Sequence, residues 1–79
     1  MSTPIIGELT PSGEEVIRLL EGYTGKLVRR EDRLTQDLGL KRAETVDRVA
    51  EEFDLRFDPR DCEHVETVED LIWLIVEAL

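Results

Sequence analysis

Residues Leu34 to Phe57 read LTQDLGLKRAETVDRVAEEFDLRF, and the rest of the chain takes its meaning from them. Asp37-Leu38-Gly39 forms a loop-to-helix junction, where Gly39 supplies the backbone freedom that a tight or left-handed turn demands. Beyond it, Ala43, Val46, Val49, Ala50 and Phe53 recur at a spacing that stacks them on one side of a helix. Glu44, Asp47, Arg48, Glu51 and Glu52 take the other side. The pattern predicts a helix over Lys41 to Asp54 with a buried inner face and a charged outer one. A buried Phe53 ring in that position makes its removal worth ~3–5 kcal/mol. A helix of this kind presents a single surface to a partner.

Upstream, Thr10-Pro11-Ser12-Gly13-Glu14-Glu15 reads as a helix start, with Ser12 as the cap, Glu15 three residues on, and acids at the positive end of the helix dipole. Val16, Ile17, Leu20 and Tyr23 share a face, and the helix ends near Gly22 or Gly25. Lys26 to Gln36 is a long loop in which Leu27, Val28 and Leu34 fold onto the core while Arg29 to Arg33 stays solvated. Its length leaves room for a helical turn. Met1 to Leu9 is a lead-in, either frayed or pinned to the core by Ile5 and Ile6.

Downstream, Leu55 and Phe57 alternate with charged residues. With no second strand to pair, this is an extended connector placing two apolar side chains in the core. A short turn runs from Pro59 through His64. Thr67 then caps a last helix, with Asp70 as its reciprocal partner, from Val68 to about Ala78. That helix is apolar nearly all the way round (Leu71 to Val76), so it is either sandwiched in the core or shares one side with a partner. Trp73 within it reads as core or edge packing. The sum is an all-α chain, a small bundle of three main helices plus one short helical turn, in a single domain over residues 1–79.

Cys62 is the only cysteine and His64 the only histidine, which leaves no internal disulfide, no cysteine cluster and no two-histidine metal site, and deprives a Ser-His-Asp triad of its usual helpers. Cys62 lies between acids, which raise a thiol pKa and argue against a nucleophile. The first residues lack a signal-peptide pattern, and Leu71 to Val76 is too short to span a bilayer, so a cytoplasmic protein is expected. The formal net charge is −9. Residues 1–43 hold seven acids and seven bases, whereas residues 44–79 hold twelve acids and three bases. That asymmetry disfavours a nucleic-acid backbone and favours a basic protein partner.

The order of these elements, with these residues, resembles the acyl carrier protein family from about Glu14 to Leu79. Leu34-Thr35-Gln36-Asp37-Leu38-Gly39 is similar to the family's approach to its second helix. Glu44-Thr45-Val46 with Glu51-Glu52-Phe53-Asp54 is similar to that helix's body and end, Leu55 to Pro59 to the connector after it, and Glu66 to Leu71 to the start of the last helix. In the family, Asp-Leu-Gly is followed by one residue and then Asp-Ser-Leu, whose serine carries the 4′-phosphopantetheine arm. Counted forward from Gly39, Lys41, Arg42 and Ala43 stand in those places, so Arg42 holds the serine position. Counted back from Phe53, Gly39 holds it. Neither register offers a hydroxyl, the only serines being Ser2 and Ser12.

The resemblance therefore implies a carrier fold without its attachment point and without a prosthetic group. The expected function is a non-enzymatic interaction module that meets the basic surface of a partner protein, such as an enzyme of acyl metabolism. Its docking residues would be Asp37, Arg42, Glu44, Asp47, Arg48, Glu51 and Glu52. One alternative is a genuine acyl or peptidyl carrier of fatty-acid, polyketide or peptide biosynthesis modified at an unexpected residue. Another is an unrelated small helical regulator. A simpler account of the charged face is solvation with helix-spaced ion pairs such as Glu44–Arg48, worth ~0.3–0.5 kcal/mol each.

Overall fold

Proline in a first helical turn forfeits no hydrogen bond, and α1 includes Pro11, spanning Pro11–Thr24 in the computed structural model, which describes residues 11–79. Ser12 therefore lies inside the helix and does not cap it. Thr10 and the lead-in with Ile5 and Ile6 lie outside the described residues. Val16 and Leu20 are fully buried, with Ile17, Leu19 and Tyr23 packed at the core's edge. Gly25, at φ +70°, stops α1, its N–H donating to the Glu21 carbonyl oxygen at 2.8 Å.

The loop that follows is extended through Val28, so successive side chains alternate. Val28 enters the core, and Leu27 points away at 87% exposure, contrary to the expectation that both fold inward. The loop then docks on the start of α4 (Val68–Ala78). The Leu34 N–H donates to the Glu66 carbonyl oxygen (2.9 Å), Val68 N–H to Asp32 O (2.9 Å) and Glu69 N–H to Arg30 O (2.9 Å). Arg33 and Thr67 form an isolated antiparallel bridge, and the Arg30 guanidinium meets the Glu69 carboxylate at 2.8 Å. N–H groups at a helix start have no partner within the helix, and here loop carbonyls supply one. Residues 33–39 then wind one α-like turn, with Asp37 N–H on Arg33 O and Gly39 N–H on Thr35 O, closed by Gly39 at φ +67°.

α2 spans Arg42–Glu52 and buries Thr45, Val46, Val49 and Ala50. Its buried sector is centred between Val46 and Val49. Thr45 on one flank goes in, and Ala43 on the other stays exposed rather than joining the core. Phe53 caps the helix and is half-buried, so truncating its ring costs less than the ~3–5 kcal/mol of full burial. Asp54 takes a left-handed φ of +58°. Its N–H bonds Glu51 O (3.1 Å) while the Leu55 N–H bonds Ala50 O (2.9 Å), which completes a Schellman stop built on aspartate rather than glycine.

The connector carries half-buried Leu55 and Phe57 to α3, the single turn Pro59–Cys62, whose start is tied by the Asp61 carboxylate accepting the Asp58 N–H (3.1 Å). α4 opens on the reciprocal pair read from the sequence: Asp70 N–H donates to the Thr67 hydroxyl (3.1 Å) and Thr67 N–H to the Asp70 carboxylate (3.1 Å). α4 packs chiefly on α1, and α2 on α3. The described residues thus form a small helical bundle of three main helices and one short turn, and no named strand occurs among them.

Candidate docking face

α2 presents Glu44, Asp47, Arg48, Glu51 and Glu52, all exposed, on the side away from its buried residues. Among the described residues the ion pairs are Glu15–Arg18 (3.8 Å) and Arg30–Glu69 (2.8 Å). None of the four α2 carboxylates on this face has a base within ion-pair distance there. The helix-spaced Glu44–Arg48 pair does not form, and the Arg48 guanidinium sits over the Tyr23 ring of α1, 4.3 Å from its centroid. That contact is worth ~0.5–1 kcal/mol at an exposed site and orients the cation toward α1. Burial pushes the Tyr23 hydroxyl pKa up and Glu52 and Glu51 push it further, against the pull of Arg48.

Two open hollows flank this face. One, about 690 Å³, is floored by Ala50, Leu55 and Phe57 and edged by Asp47, Glu51, Asp54 and Arg56. The other, about 570 Å³, lies between Tyr23, Gly39 to Lys41 and the α2 residues Glu44, Thr45, Asp47 and Arg48. Asp47 borders both. Tyr23, Thr45, Leu55 and Phe57 were not singled out as surface-forming residues by sequence. Their place depends on how α1 and the connector lie against α2, which no local spacing encodes.

Two expected docking residues are otherwise engaged. The Asp37 carboxylate accepts the Arg33 N–H (2.7 Å), so it ties the turn that leads into α2 and does not sit on α2's face. Arg42, half-buried, donates from Nη1 to the Glu63 carbonyl oxygen (3.1 Å), holding the leading end of α2 onto the turn after α3. Arg42 is the first residue of α2. Lys41 occupies the N-cap and makes no capping hydrogen bond from its side chain. Gly39, the other candidate for the serine position, is in the preceding turn. A hydroxyl nevertheless borders this end. Thr35 lines one hollow with Arg42, Ala43, Pro59, Cys62 and Glu63, and its hydroxyl donates to the Leu40 carbonyl (3.0 Å).

Cys62 is buried. Burial pushes its thiol pKa up, Asp47 and Asp61 push it further, and Arg42 only partly opposes them. A thiol held protonated and out of solvent is a poor nucleophile. Trp73, expected to pack in the core or at its edge, is instead 55% exposed on α4, because Val68, Leu71, Ile72 and Ile75 already fill the side facing the core. Among the described residues no group of three His, Cys, Asp or Glu side chains is disposed to hold a metal ion, and no helix is long and apolar enough to cross a membrane. No family model matches the chain, and no curated protein matches it. The acyl-carrier resemblance thus rests on its sequence motifs alone.

Proposed function

We propose that this chain is a non-enzymatic, acyl-carrier-like interaction module of the cytoplasm that docks a basic surface of a partner, an enzyme of acyl metabolism, through the outer face of α2. The observation that carries this reading is the set Glu44, Asp47, Glu51 and Glu52, exposed together with no base in ion-pair reach among the described residues. Carboxylates left in that state have no existing ion pair to break before meeting incoming lysines and arginines, and they steer a basic partner from a distance. The flanking hollow over Ala50, Leu55 and Phe57 offers an apolar contact beside the charges. Arg42, already bonded to Glu63, serves as a local positioning residue rather than as an attachment point.

The test uses a phosphopantetheinyl transferase as the basic partner. Calorimetric affinity is expected to fall steeply with salt, and the double charge reversal Asp47→Lys, Glu51→Lys is expected to weaken it by about tenfold or more. Affinity indifferent to both treatments overturns the reading. A second reading, a genuine carrier modified at an unexpected residue, draws support from the Thr35 hydroxyl beside Arg42. Intact mass after incubation with the transferase and coenzyme A separates the two: no added arm is expected, and an added arm lost in Thr35→Val would establish the second.

A further inference from the structure

A helix apolar nearly all round needs cover on both sides, yet among the described residues α4 is covered on one. Val68, Leu71, Ile72 and Ile75 are buried, Leu74 and Val76 are half-buried, and Trp73, the largest side chain of the helix, is 55% exposed. The positions that adjoin Trp73 on the helix surface, three or four residues away, are Glu69, Asp70, Val76 and Glu77. Three of the four are carboxylates. From Asp61 to Leu79 the sequence contains no lysine or arginine. Arg30 reaches this stripe from the loop and is bonded to Glu69 at its start, while Asp70 is occupied with the Thr67 and Glu66 N–H groups. Glu69 is thus answered by Arg30 and Asp70 by N–H groups, and Glu77, one turn further along, has no base in ion-pair reach among the described residues.

An exposed indole with an unpaired carboxylate one turn away is suited to one chemistry: a guanidinium or ammonium laid on the ring face, its charge answered by Glu77. We propose that this α4 stripe, centred on Trp73, is a second docking surface whose occupant is an arginine- or lysine-bearing segment of a partner protein. It is separate from the α2 face and stands or falls without it. A neutral apolar partner leaves the Glu77 carboxylate uncompensated on contact, and an anionic membrane surface is repelled by the net negative charge of residues 61–79. Charge complementarity therefore selects a cationic peptide as the occupant.

Because Trp73 is the only tryptophan, its emission reports this stripe alone. The full chain is titrated with an amphipathic peptide of Arg, Leu and Ala, and with the same peptide bearing Glu in place of Arg. A saturable change in indole emission with the Arg peptide and none with the Glu peptide is expected. By calorimetry, Trp73→Ala is expected to weaken binding about fivefold, and Glu77→Lys comparably. Asp47→Lys with Glu51→Lys should leave the emission change in place. The proposal is overturned by absence of binding, by Trp73→Ala binding as tightly as the parent, or by amide shifts confined to α2 with silent emission. That last result leaves the α2 reading standing. It is equally overturned if the emission changes with neutral phosphatidylcholine vesicles, or on concentrating the chain alone.

Discussion

α2 and α4 are both eleven residues long, and the chain uses them in opposite ways. α4 starts on a reciprocal Thr67–Asp70 cap, donates further hydrogen bonds from its first N–H groups to loop carbonyls, and supplies fully buried Val68, Leu71 and Ile75 to the core. α2 starts on an uncapped lysine, ends on a left-handed aspartate, and turns four carboxylates outward. One helix is fastened for stability; the other carries charge at some cost to its own ends. The contrast separates a helix spent on the core from one that keeps its charge in solvent.

The sharpest way to break that contrast is to truncate α4's core. Leu71→Ala is expected to cost ~2–5 kcal/mol in urea unfolding, against a change within ~0.5 kcal/mol for Glu51→Ala on α2's outer face. Comparable losses at both sites would erase the distinction. Next in size is the turn that aims α2. Gly39→Ala meets no atom within 4 Å, so its expected cost of ~1–2 kcal/mol is the left-handed backbone itself. A neutral result by thermal melting would show that the turn relaxes.

The helix starts themselves come third. Thr67→Ala should lose ~1 kcal/mol from α4, whereas Lys41→Ser should gain ~0.5 kcal/mol for α2, because Lys41 already has the extended backbone (φ −86°, ψ 126°) a cap needs. The smallest effect is one of pH. Burial pushes the Asp70 carboxyl up, but hydrogen bonds from Glu66 and Thr67 outweigh it and hold its pKa below the ordinary value. A carboxyl depressed on folding adds stability that is complete above its unfolded pKa of about 3.9 and is lost as pH falls through the lower folded value. Asp70→Asn is therefore expected to flatten the acid limb of the stability profile, read from urea midpoints between neutral and acid pH. An unchanged limb would place that dependence elsewhere.

The sequence already shows the Thr67–Asp70 start, the short turn after Pro59 and the exposed acids of α2, because each is a local pattern with a local cause. It does not show what depends on contacts between distant elements. Ala43 and Thr45 both lie at the edge of α2's apolar sector, and only the seating of the helix decides which is buried. Leu27 and Val28 are equally apolar, but an extended backbone sends them opposite ways. Trp73 looks like core by type and is left outside because its helix neighbours fill the space first. Arg48 carries a helix-spaced partner in Glu44, yet its guanidinium sits over the Tyr23 ring from α1.

The docking of residues 30–34 on 66–69 has a consequence for motion. The chain leaves that seam, forms α2 and α3, and returns to it, so both belong to one excursion of the chain, held to the rest by Val46, Val49 and Cys62 in the shared core and by Arg48 over Tyr23. That excursion is expected to open as a unit while the α1–α4 pair stays shut. In native-state hydrogen exchange, α2 and α3 amides should be released together at a lower free energy than those of α4. A partner gripping α2 would then slow exchange across α3 as well, though it never touches it.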